Sequence, residues 1–266
     1  MAAATGQVSW SGLYYDNIEH LLWNPGRFRG LQSDGKKKTI RMLMERFRTL
    51  EAPLHHAVQT FLTLAPDRFA AKLLDIDPAA SLPLRIICCQ KEEHWRIDER
   101  KTISLLELCQ PDIFVEGRGV QVAIEIKAKS KSSLEQVLKY AALMSLPPRN
   151  VPASAARKLV FLAPYETFGH FWKGKAHADV SSLKDAARNH DDPKLDKKFR
   201  RFGTSLDAAK ASLDGLEIIW KSILGIQGDV HQELQRVMAE APSESGEVYC
   251  KLLSGFEREL VAWPSQ

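Results

Sequence analysis

The chain has 266 residues, 44% of them hydrophobic, and a formal net charge of +4. That is enough for one elaborated domain or two small ones with a full core. The small positive excess favours polyanionic partners without identifying one. No stretch approaches the roughly 20 apolar residues that span a membrane.

Residues 1–38 read as an N-terminal arm with a short helix, rich in aromatics (Trp10, Tyr14, Tyr15, Trp23, Phe28) and turning at Pro25-Gly26. The Ala-Ala-Ala start has no charged and apolar leader pattern, so a cytoplasmic protein is expected. Ile40, Leu43, Phe47 and Leu50 mark an amphipathic helix over 39–50. Pro53 favours a fresh helix start, because proline is tolerated in a first turn and not in an interior. Leu54, Val58, Phe61, Leu62 and Ala65 form the next apolar stripe. Glu51 stands three before Leu54 and seven before Val58, on the inward side, whereas Glu45 falls opposite its stripe. Glu51 has two readings: an acid belonging to a site, or a first-turn charge that complements the helix dipole. His55-His56 is no shared metal pair, since adjacent helical residues diverge by about 100°.

Pro78 and Pro83 bracket a loop, and Leu84 to Gln90 reads as a buried strand. Two further strands follow, Leu105 to Val115 and Val120 to Lys127, joined by Gly117-Arg118-Gly119. Ser132 or Ser133 can cap a helix over 132–146, with Glu135 in its first turn. Leu134, Leu138 and Ala141 form its stripe, and Gln136 and Tyr140, four apart, project together from another side. Pro147-Pro148 stops it. Lys158 to Leu162 is a fourth strand, which makes a helix-linked crossover. Residues 166–212 are polar, basic and partly helical, an insertion able to cover a substrate, with a loop at 190–193. Leu216 to Trp220 reads as the last strand. A helix over 229–240, a loop over 242–246 and a final helix to about Ala262 complete the chain. The expected class is α/β: a mixed sheet flanked by helices, with helical elaborations at both ends. The core is about 39–165 plus the strand near 216–220, and the C-terminal helices occupy 229–262. Position 166 is the only plausible internal division.

The chemistry concentrates at 110–127. Asp112 opens one strand, and Glu125 and Lys127 lie two apart on the next, so they share a face while Val122, Ile124 and Ile126 take the other. Two acids and a lysine on one rim suit a hard divalent cation, which prefers oxygen ligands and keeps several waters. Asp112 and Glu125 would supply carboxylates and Ile126 a backbone carbonyl, with Lys127 beside the attacking water. Such an ion lowers the pKa of bound water and clamps phosphoryl oxygens. The same residues would also serve as an ordinary strand face carrying an ion pair.

Pro111-Asp112 followed by Glu125-Ile126-Lys127 resembles the signature of the PD-(D/E)XK nuclease superfamily. Gln136-x-x-x-Tyr140 after the Glu-x-Lys strand is similar to the additional motif of its RecB-like members. Glu51 through Phe61-Leu62 to Pro66 resembles the opening helix of Shedu-type defence nucleases. The resemblance implies a restriction-endonuclease-like fold and a Mg²⁺- or Mn²⁺-dependent DNA nuclease. Asp112, Glu125 and the Ile126 carbonyl would hold the metal, with Glu51 as third acid and Lys127 as catalytic lysine. Gln136, Tyr140 and Lys129 would meet the nucleic acid. An endonuclease in restriction, antiviral defence or DNA processing is the implied setting. With no G-x-x-x-x-G-K-[ST] motif, any translocating ATPase or helicase would be a separate subunit, and a homodimer is compatible. The alternative is a non-catalytic nucleic-acid-binding or assembly subunit on the same fold.

Two basic clusters suit phosphate contacts: Lys36, Lys37, Lys38, Arg41, Arg46 and Arg48, and Lys194, Lys197, Lys198, Arg200 and Arg201 interleaved with Phe199 and Phe202. Cys88, Cys89, Cys109 and Cys250 show no zinc or iron–sulfur spacing and read as free thiols. The remaining histidines lack ligand spacing, and no G-x-S-x-G elbow is present.

Overall fold

The computed structural model describes residues 51–88, 108–127, 131–146, 154–163, 168–172, 177–240 and 243–261. The expectations for the arm, the helix at 39–50, the first basic cluster, Cys89 and Lys129 lie outside the described residues. Helices α1 (Glu51–Leu64), α2 (Asp67–Leu73) and α3 (Pro78–Ser81) precede strands β1 (Arg85–Cys88), β2 (Ile113–Gly117) and β3 (Val120–Ile126). Helix α4 (Leu134–Ser145) leads to β4 (Ala156–Ala163). A 3-10 turn (Phe168–Phe171) and helices α5 (Val180–Arg188), α6 (Pro193–Arg200) and α7 (Leu206–Ser212) come next. Strand β5 (Leu216–Ser222) and helices α8 (Ile223–Met238) and α9 (Glu244–Val261) end the fold.

The five strands lie in chain order in one sheet. β1, β2 and β3 are antiparallel neighbours. β3, β4 and β5 run parallel, so α4 forms the crossover from β3 to β4. The class is therefore α/β with a mixed sheet between helices. β3 is central and buried along its whole length, as a strand covered on both faces must be. Gly117 is required at the β2–β3 turn, since a Cβ there would meet the Ser81 carbonyl at 2.4 Å.

Alternation along β3 divides the core. Val120, Val122, Ile124 and Ile126 face a layer built from α1, α2, α8 and α9. There the Phe61 and Phe256 rings stack at 4.0 Å and Phe69 meets Phe61 edge-on at 6.0 Å. Ala123, Leu159 and Phe161 face a layer of α4 to α7, through Leu138, Leu183, Phe199 and Leu206.

Several boundaries differ from the sequence reading. The stretch between Pro78 and Pro83 contains α3, started by Asp77, whose side chain accepts the Ala79 N–H at 2.9 Å. β1 is an edge strand with Arg85 exposed and Ile86 half-buried, not a buried one. β2 begins only at Ile113, with Asp112 just before it. α8 starts at Ile223 rather than 229 because Ser222 caps it, accepting the Gly225 N–H at 2.9 Å. α9 begins inside the expected 242–246 loop, where the Ser243 hydroxyl accepts the Gly246 N–H at 3.1 Å. Helices α5 to α7, within the expected insertion, bury Leu183, Phe199 and Leu206 in the second core.

Candidate active site

The site forms at the carboxyl end of β3, beside the point where the antiparallel chain enters β2. Lys127 donates its backbone N–H to the Leu162 carbonyl of β4 at 2.8 Å. Backbone groups alternate in direction along a strand, so Ile126 turns both its N–H and its carbonyl toward β2. The Ile126 N–H is taken by the Asp112 carboxylate, whose Oδ2 accepts it at 2.6 Å. Asp112 in turn donates its own N–H to the Ile124 carbonyl at 3.1 Å. The aspartate is thereby fastened to the residue between Glu125 and Lys127.

Glu125 projects to the α4 side of the sheet and is 3% exposed. Three donors meet its carboxylate. The Lys127 ammonium reaches Oε1 at 2.5 Å, which bears out their common face. The Gln136 amide also donates to Oε1, and the Tyr140 hydroxyl donates to Oε2. Burying a carboxylate is costly unless it is paired and hydrogen-bonded, and this one is both. Gln136 is itself oriented from behind, because its Oε1 accepts from the Ser132 hydroxyl at 3.0 Å. Its backbone is set by the cap: Ser133 Oγ accepts the Gln136 N–H at 3.3 Å. Gln136 and Tyr140, four apart on one face of α4, thus hold Glu125, and Tyr140 is wholly buried.

Tyr140 carries a second contact, with the buried thiol of Cys109. Burial, with Cys109 and then the Glu125 carboxylate as neighbours, pushes the Tyr140 hydroxyl well above its ordinary range. Burial, then Glu125, likewise pushes the Cys109 thiol up. Both groups keep their protons at neutral pH, which is what Tyr140 needs in order to donate.

His55, in a pair whose spacing suits no shared metal, reaches this site from α1. Its Nε2 lies 3.2 Å from Asp112 Oδ1, and its side chain is 9% exposed. The signal in the sequence is a 55-58-62 spacing, which lines up on the inward helix face. Glu51 opens α1, four residues before His55, and its carboxylate is not among the described side chains.

The second basic cluster is less available than its sequence suggested. Phe199 and Phe202 are buried, so they pack in the core and form no stacking surface. Arg200 is engaged with Asp196 at 2.7 Å.

Two carboxylates, an imidazole and a backbone carbonyl at one strand end have the donor chemistry of a divalent-cation site, with hard oxygens predominating. Among the described residues, no group of three or more His, Cys, Asp and Glu side chains is arranged to hold a metal ion. Among the described residues no helix is long and apolar enough to cross a membrane. Compared with known proteins, the chain matches no family model, no curated protein and no solved structure.

Proposed function

We propose that the chain is a metal-dependent nuclease with a restriction-endonuclease-like core, hydrolysing phosphodiester bonds at Asp112, Glu125 and Lys127. One observation carries this reading: Asp112 is hydrogen-bonded to the N–H of Ile126, the residue between Glu125 and Lys127. Two acids separated by 12 residues in sequence (113 to 124) thereby share one strand end with a lysine. The five-stranded mixed sheet flanked by helices is the coarse architecture this reading requires.

Asp112, Glu125 and the Ile126 carbonyl would hold Mg²⁺ or Mn²⁺, with Glu51 as the third acid that the resemblance implies. Bound there, the cation would acidify a water and stabilise phosphoryl charge. The chain's own contribution is positional. Gln136 and Tyr140 fix the Glu125 carboxylate, the Ile126 N–H fixes that of Asp112, and Lys127 holds a positive charge where the phosphate would lie. Lys127 would orient the attacking water. DNA as substrate, an endonucleolytic cut, and a role in restriction or antiviral defence rest on the resemblance, as do Lys129 as a substrate contact, a partner ATPase and a homodimer.

The test is cleavage of supercoiled plasmid in Mg²⁺ or Mn²⁺ by wild type and Lys127→Ala. Wild type should nick or linearise the plasmid, and EDTA should stop it. The variant should lose about a hundredfold to a thousandfold in rate, the usual cost of removing one group that stabilises transition-state charge. A Lys127→Ala protein that cuts at the wild-type rate overturns the assignment.

One observation favours the non-catalytic alternative. Both Glu125 oxygens are engaged within the protein, as they would be in a purely structural polar cluster. Thermal unfolding separates the two. A metal site gains stability as RT ln(1 + [L]/Kd), and Asp112→Asn should abolish that gain while still accepting the Ile126 N–H. No metal-dependent gain in the wild type would favour the structural reading.

A further inference from the structure

Beside the carboxylate lies a group of aromatic rings that the hydrolytic reading leaves unused. Sheet register places Glu125 opposite Phe161, and Phe161 opposite Trp220. Residues directly opposite project to the same face. Adjacent strands lie about 4.8 Å apart, so Trp220 stands two strands, or about 10 Å, from Glu125 along one row. Phe161 and Trp172 are buried, with ring centroids 5.3 Å apart. Phe168 sits over them, 5.3 Å from Trp172 and 5.9 Å from Trp220, edge-on to the latter. Phe168 and Trp220 are only half-buried.

This shelf is coupled to the site. The backbone of Trp172 bridges that of Ser132, and the Ser132 hydroxyl donates to the same Gln136 that holds Glu125. The rings lie near the carboxyl ends of the parallel strands β3 to β5, where open α/β sheets bind ligands. Lys131 lies exposed one residue before Ser132, whereas Lys127 at the strand end is paired with Glu125 at 2.5 Å. Lys221 is spent elsewhere, on Asp75 at 2.9 Å.

We propose that Phe168 and Trp220 form a stacking shelf for unpaired nucleobases, so that this site takes single-stranded nucleic acid. The proposal rests on reading the site as a phosphodiesterase. Every base presents a π-face to such a ring whatever its identity, and lysines track the backbone. A duplex keeps its bases stacked on one another and offers the rings nothing. The shelf therefore discriminates by strandedness rather than by sequence.

The experiment is fluorescence anisotropy of the full chain in EDTA, where binding is read without cleavage. The probes are labelled oligothymidine, oligouridine and a hairpin duplex, against wild type, Trp220→Ala, Phe168→Ala and Trp220→Phe. The single strands should bind more tightly than the duplex. Trp220→Ala and Phe168→Ala should each weaken them on the order of tenfold, the scale of one lost base–aromatic stack, and leave duplex binding unchanged. Trp220→Phe should retain most of the affinity, and it decides the matter if an alanine variant fails to fold. The oligothymidine and oligouridine arms tell a DNA shelf from an RNA shelf. Equal binding of single strand and duplex, or equal loss on both, overturns the proposal. Plasmid cleavage that depends on Lys127 while binding ignores Trp220 leaves the nuclease reading standing and removes the shelf. Strand discrimination without any metal-dependent cleavage does the reverse.

Discussion

The two faces of the sheet are built on different physical terms. Between the sheet and α1, α2, α8 and α9 the contacts are mainly apolar, centred on the Phe61–Phe256 stack, with His55, Lys158 and Glu259 buried at its margins. Their strength is area and close packing, which is non-directional. Between the sheet and α4 to α7 an equally buried layer contains a carboxylate, an amide, a phenol and a thiol in contact. Those groups are stable only while each has its partner. The apolar face can lose surface and remain itself, whereas the polar face specifies one arrangement of Glu125.

Truncation on the apolar face should have the largest effect on stability. Phe61 is completely buried and touches rings from both α2 and α9. Phe61→Ala should cost about 3–5 kcal/mol, a large part of a domain's usual margin of about 5–15 kcal/mol. Urea unfolding followed by far-UV circular dichroism measures it. Residual folded protein should keep its Glu125 environment, so under the proposed function cleavage per folded molecule should be unchanged. Loss of both together would mean that the two faces are not separable.

The matching change on the polar face removes a single oxygen. Tyr140→Phe keeps the ring and deletes the donor to Glu125 Oε2. Leaving a buried charged acceptor one bond short should cost about 1–3 kcal/mol. The substitution is nearly isosteric, so packing contributes little. Under the proposed function cleavage should fall as well, because Glu125 gains a second orientation. A Tyr140→Phe protein as stable and as active as wild type would show that Gln136 and Lys127 suffice, and that the difference between the faces is smaller than their composition implies.

Much of this arrangement was legible from periodicity. Leu54, Val58, Phe61, Leu62 and Ala65 form one inward stripe, and all are buried. The alternation through β3 put Glu125 and Lys127 on one side and Val122, Ile124 and Ile126 on the other, as found. Local patterns could not say what lies above a strand. That Gln136 and Tyr140 turn onto Glu125 depends on the crossover bringing α4 back over β3. That His55 meets Asp112 depends on α1 packing beneath the same strand end. Capping was the other gap, since Ser222 and Ser243 start helices earlier than the apolar spacing alone suggested.

The smallest effect expected is a pH dependence of opposite sign at the two faces. On the outer side of the apolar layer, Glu233 of α8 accepts from Arg236 at 2.6 and 2.9 Å and from Tyr249 of α9 at 3.4 Å. The Arg236 hydrogen bonds come first in holding the Glu233 carboxyl below its ordinary value of 4.5. A depressed folded value means that this stabilisation is present above pH 4.5 and is lost as pH falls through the folded value. Tyr140 is raised, chiefly by burial, from an ordinary value of 10.0. Its contribution is therefore complete below pH 10 and is lost as pH rises beyond it. Thermal unfolding across pH should show Arg236→Ala flattening the acid limb, and only slightly, because a water-exposed helix pair is weak. Tyr140→Phe should flatten the alkaline limb and leave the acid limb alone. If Arg236→Ala altered the alkaline limb as much as the acid one, the two layers would be electrostatically coupled through the sheet, and treating each as its own unit would fail.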